Sequence, residues 1–212
     1  MLRADSYRFD PARDGFGFRN PVGEVPRRTG GGSLLCRFDA FVYGKGLCFG
    51  MVTTSLLYFM GGVTGARRPP LSELPLTPGL LTVLRRRQLR QFHPRTVLAV
   101  VGDWLASGGG RARCVPGRLR LVGESTDPHV LCFGPSLGWR FFRCLARAHA
   151  VVPYRAGEGR VYVYDPNHPG DRGRFVEFRD GEFFYDGFRS SEGWGITLVP
   201  LSACPGAPNR VR

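Results

Sequence analysis

Lys45 is the only lysine in this 212-residue sequence, so its formal net charge of +13 is carried almost wholly by arginine. Arginine favours bidentate contacts with carboxylates and phosphates, which brings acidic partners or nucleic acid into view. No stripe of arginines interleaved with aromatic residues accompanies the charge. Nucleic acid is therefore disfavoured as a partner, and the charge reads mainly as a solvated surface. No C-x-x-C pair occurs, and no Cys and His cluster at zinc-finger spacing, which argues against a structural metal site. Neither Gly30-Gly31-Gly32 nor Gly108-Gly109-Gly110 leads into Gly-Lys-Ser/Thr, so a phosphate-cradling loop is absent and no cofactor is expected. Repeats of solenoid length are missing too. The opening Met1-Leu2-Arg3-Ala4-Asp5-Ser6 lacks the apolar stretch of a secretory signal, from which a cytoplasmic location is expected. The longest uncharged run, Leu47 to Val63, is short for a bilayer and is broken by Gly50, Thr53, Thr54, Ser55, Gly61 and Gly62. It predicts a buried helix, with no membrane contact.

What is present suffices for one sizeable core, since 42% of the residues are apolar. Six cysteines (36, 48, 114, 132, 144 and 204) in a chain of this size, with no visible export signal, read as reduced thiols. Residues 1–33, rich in Gly, Pro and Arg, predict an irregular extension on the surface or disordered. Residues 34–204 form the expected domain, with a helical half over 34–112 and a β half over 113–204, and residues 205–212 form a tail. Helices are predicted for the Cys48 to Met60 run, for Gly79 to Phe92 with Arg85, Arg86, Arg87 and Arg90 on a wet face, and for Thr96 to Ala106. Strands are predicted for Val130 to Phe133, His149 to Tyr154, Arg160 to Tyr164, Arg174 to Phe178, Glu182 to Tyr185 and Trp194 to Val199. Helices first and strands afterwards indicate an α+β fold.

The chemistry-bearing residues fall at the junctions of these elements. Cys48 follows the glycine-loosened Tyr43-Gly44-Lys45-Gly46-Leu47 and opens the apolar helix, where unpaired N–H groups and the positive dipole end favour a thiolate. In the hairpin His149-Ala150-Val151-Val152-Pro153-Tyr154 to Arg160-Val161-Tyr162-Val163-Tyr164-Asp165, a turn centred near Gly157 sets His149 opposite Asp165. Opposed residues share a face with Cβ atoms about 4.5 to 5.5 Å apart. A carboxylate there fixes the imidazole's tautomer and supports its cation, and the imidazole in turn serves a cysteine nucleophile. A one-residue slip would make Asn167 the reserve orienting residue. Asp165-Pro166-Asn167-His168-Pro169-Gly170 is also a strong turn signal, a role compatible with catalysis. His93, His129 and His168 lack a paired acid or thiol and are expected on the surface or in loops.

Gly46-Leu47-Cys48-Phe49-Gly50-Met51 before a long apolar helix, with His149-Ala150-Val151-Val152 leading to Val161-Tyr162-Val163-Tyr164-Asp165-Pro166-Asn167, resembles the papain-like cysteine peptidases, in particular their bacterial C39-like branch. The resemblance spans roughly Cys36 to Pro200. It implies a helical lobe carrying Cys48 packed on a β lobe carrying His149 and Asp165, and a peptide or protein substrate. One departure stands out: many papain-like enzymes carry a glutamine six residues before the nucleophile as an oxyanion donor, and here Val42 occupies that place. The backbone N–H of Cys48 remains as one donor, with Tyr43 or Lys45 as candidates for a second. Losing one such donor costs on the order of 10²- to 10³-fold in rate. Two expectations therefore stand: a thiol amide hydrolase, acting by hydrolysis or acyl transfer, or a weak or inactive scaffold that binds an acidic protein or nucleic acid.

Overall fold

The computed structural model describes residues 8–21, 46–63, 69–108, 112–135 and 148–205. It is an α+β protein with helices α1 (Pro11–Asp14), α2 (Cys48–Val63), α3 (Pro78–Leu89) and α4 (Pro94–Ala106). Seven strands follow: β1 (His129–Pro135), β2 (His149–Gly157), β3 (Arg160–Tyr164), β4 (Phe175–Arg179), β5 (Glu182–Tyr185), β6 (Phe188–Arg189) and β7 (Trp194–Pro200). They form one antiparallel sheet in the order β6-β5-β4-β3-β2-β1-β7. The sheet curls like a barrel, bringing Phe188 of β6 onto Trp194 of β7 with ring centroids 4.7 Å apart.

The helices begin where local chemistry starts them. Thr77 accepts the Leu80 N–H ahead of Pro78, and His93 accepts the Arg95 N–H through Nδ1 ahead of Pro94. Helix α2 is apolar nearly all round because it is buried on two sides. Its Val52, Leu56 and Phe59 stripe meets Val130, Ala150, Val152 and Val199 of the sheet, while Leu47 and Met51 pack with Phe16, Leu71 and Leu84. At Gly50 the α3 backbone comes so close that a Cβ would lie 2.3 Å from the Leu84 carbonyl oxygen. The opposite sheet face closes around Leu131, Phe133, Val151, Val163, Phe183, Ile196 and Leu198. The central strands are covered on both faces and so read as continuous apolar runs. Asp103 of α4 accepts the Leu198 N–H at 2.9 Å, satisfying a donor on the edge strand β7.

Three expectations are corrected. Residues 8–21 are irregular apart from α1, yet they are built into the fold: Phe9, Phe16 and Asn20 are buried, and the Phe16 N–H donates to the Tyr164 hydroxyl at 3.0 Å. Two aromatics supply enough apolar area to anchor a segment whose composition signals only irregularity. The arginine face of α3 is not uniformly wet, since Nε and Nη2 of Arg85 are buried, while Leu89 is 38% exposed. Leu84 and Gln88 make the close approach to α2 and narrow the buried stripe. The β2–β3 turn is Glu158-Gly159, both with positive φ, and not one centred on Gly157.

Candidate active site

The head of α2 is tied down by two buried amide side chains. Leu47 donates its N–H to Oδ1 of Asn20 at 2.6 Å, and Gly50 donates its N–H to Oε1 of Gln88 at 2.9 Å. Both bonds satisfy backbone donors that a helix start leaves unpaired. Gly46 reaches this position with φ of +99°, and a Cβ on it would lie within 2.4 Å of the Asn20 amide. Only glycine accommodates both that conformation and that approach. Cys48, 8% exposed, is thereby held at the first position of the helix.

Across from it, His149 opens β2 and donates its Nε2–H to Oδ1 of Asp165 at 2.9 Å, leaving Nδ1 as the second ring nitrogen. Cys48 lies close enough to the imidazole to favour its cationic form. The ring stacks with Phe133 and Phe188, centroids 6.5 and 6.2 Å away. Asp165 is wholly buried and saturated: Oδ1 also accepts the Asn167 N–H at 2.7 Å, and Oδ2 accepts the Tyr185 hydroxyl. Burial works to raise the Asp165 pKa, but the bonds from His149, Tyr185 and Asn167 outweigh it and hold the carboxyl below its usual range. Burial likewise opposes the His149 cation. The hydrogen bonds and charge interactions with Asp165 and Cys48 overcome it and push the imidazole up to about 10.

The structure thus brings together Cys48, His149 and Asp165, though not by the simple register expected. Pairing runs Gly157↔Arg160 near the turn and Val152↔Tyr164 beyond it, with a bulge between Pro153 and Arg155. An unbroken ladder from this turn would set Asp165 opposite Val152, on the face away from His149. The extra residue, Tyr154, shifts the alignment so that Asp165 follows on the His149 side. Asn167 does not bond the imidazole: its side-chain Oδ1 accepts the Asn20 Nδ2–H at 3.0 Å. Val42, Tyr43 and Lys45, and with them the expected oxyanion donors other than Cys48, lie outside the described residues.

Asn20, Gln88 and Tyr185 were not legible beforehand. Each acts from a distant element, and no local pattern marks them. His129 corrects the expectation of a surface histidine, being buried with Nδ1 accepting the Arg120 N–H at 3.1 Å. His168 is partly exposed and meets the Arg174 guanidinium. Ligand atoms of Asp165, His168 and Asp186 lie within 4.8 Å of one another, the spacing of a cation site. Arg174, 3.6 Å from Asp186 and bonded to His168, already places a positive charge there, so these groups form an ion-pair network. Cys114, Cys132 and Cys204 are free thiols, as is Cys48. Burial pushes Cys132 well above the thiol range and Cys204 up to about 12. No described helix is long and apolar enough to cross a membrane. Comparison of the chain with family models, curated proteins and solved structures finds no match.

Proposed function

We propose that the chain is a papain-like thiol amide hydrolase, with Cys48 as nucleophile, His149 as acid–base and Asp165 as its orienting carboxylate. The observation that carries this reading is the buried, fully hydrogen-bonded Asp165 that holds the His149 imidazole, its cation favoured, near a cysteine at a helix start. The Cys48 thiolate attacks an amide carbonyl, and the developing oxyanion is met by the Cys48 N–H. The C–N bond breaks as His149 passes its proton to the leaving amine, giving a thioester on Cys48. Water then attacks the thioester, His149 takes the water's proton, and the acid leaves with the thiolate restored. The helical face carrying Cys48 and the sheet end carrying His149 and Asp165 support a papain-like arrangement of this site. A peptide or protein substrate accompanies that reading.

Alkylation by iodoacetamide at mildly acidic pH tests it, because half-buried Cys132 and buried Cys204 resist thiolate formation. The expected result is selective modification of Cys48, abolished by His149→Ala. Equal, slow labelling of all cysteines would instead favour the non-catalytic scaffold. That scaffold, with its net charge of +13, would bind polyanions in a salt-sensitive way unaffected by Cys48→Ala.

A further inference from the structure

Asn20 lies between the two halves of the site and hydrogen-bonds to neither the sulfur nor the imidazole. Three of its hydrogen-bonding groups are engaged. Its Oδ1 accepts the Leu47 N–H at 2.6 Å, from the peptide immediately before Cys48. Its Nδ2 donates to Oδ1 of Asn167 at 3.0 Å, and its own backbone N–H donates to the Pro166 carbonyl at 2.8 Å. Asn167 in turn donates its N–H to Asp165, Asp165 accepts from His149, and the neighbouring Cys48 favours the His149 cation. Hydrogen bonds link Leu47, Asn20, Asn167, Asp165 and His149, and the nearness of the imidazole to Cys48, the residue after Leu47, completes a ring. One side of the ring is a helix start and the other a strand end, and Asn20 is the described side chain that hydrogen-bonds to both. The residue is 5% exposed, and its amide packs against Gly46, where a Cβ would collide with it.

Building on the hydrolase reading, we propose that Asn20 is a positioning residue: its amide fixes the Cys48 helix start against the Asp165–Asn167 turn and so sets the separation of sulfur from imidazole. The chemistry fits asparagine alone among similar side chains. Aspartate keeps the acceptor for Leu47 but loses the donor to Asn167, and leucine loses both. Misplacing reacting groups by about 1 Å costs on the order of 10²-fold, which bounds the effect of cutting the ring.

The test is the rate of Cys48 alkylation as a function of pH in the full chain, with far-UV circular dichroism and Tm checking the fold. Asn20→Ala is expected to slow Cys48 labelling by about ten- to a hundredfold and to alter its pH profile, while Cys114 labelling is unchanged. Should Asn20→Ala fail to fold, the partner decides. Asn167→Leu, which removes the acceptor for Nδ2, should fall like the loss of Asn20. The proposal is overturned if Asn20→Ala, or Asn167→Leu in its place, labels at the wild-type rate with the wild-type profile while His149→Ala does not. That result would leave the hydrolase reading intact. Unselective labelling of the wild-type chain would instead remove the hydrolase reading, and the positioning role with it.

Discussion

Asp165 concentrates the site's electrostatics in one carboxylate, and its three donors define what each neighbour contributes. Asp165→Asn should return the His149 titration toward the ordinary imidazole range, followed by NMR, and lower any amidase turnover by at least about 10²-fold through loss of tautomer control. Tyr185→Phe removes one donor from a wholly buried acceptor. It should cost about 1 to 3 kcal/mol in urea unfolding, with labelling of Cys48 largely retained. Cys48, His149 and Asp165 were visible in the sequence because each sits beside a local signal: a glycine-loosened helix start, a strand opening and an Asp-Pro turn. Tyr185 and Asn20 were not, since a tyrosine on an alternating strand and an asparagine before a proline look like packing and turn residues. Their roles exist only once Tyr185 and the N-terminal segment have been brought to the end of β3.

At the level of elements, the helix start and the hairpin are the two devices that matter. The apolar run after Cys48 identified α2, but the crossing with α3 depends on Gly50, whose importance is set by a backbone brought in from Leu84. Gly50→Ala should destabilise the protein by about 1 to 3 kcal/mol through overpacking, measured as a fall in Tm, and should also disturb the Gln88 bond at the helix start. The hairpin shows how a partly mistaken register can still bring the same residues together. Placing the turn near Gly157 put His149 and Asp165 directly opposite. The Glu158-Gly159 turn alone would have turned them to different faces, and the bulge at Tyr154 returned them to one. Bulges leave no strong mark in a single sequence, because the extra residue is chosen for where it bends the ladder. The short β6, absent from the expected strands, was hidden similarly: two residues cannot display alternation.

For the molecule as a whole, the buried ion pair sets a pH window. His149 has a folded pKa raised to about 10, so its contribution to stability is complete below the unfolded imidazole pKa and is lost as pH rises through the folded value. Asp165 has a lowered pKa, so its contribution is present above the unfolded carboxyl pKa and is lost as pH falls through the folded one. Urea unfolding across pH should therefore show a plateau around neutrality, and the alkaline loss should disappear in a His149→Gln variant. That variant also strands a buried carboxylate, costing roughly 3 to 5 kcal/mol at neutral pH. The ring running from residue 20 through 47, 149 and 165, braced from 185, has a further consequence in time. During synthesis the cysteine emerges long before the acid and the tyrosine that complete its surroundings. On the proposed hydrolase reading, the nascent chain carries only an ordinary sulfhydryl, and the site assembles once residue 185 has left the ribosome and the segment around residue 20 has docked onto it.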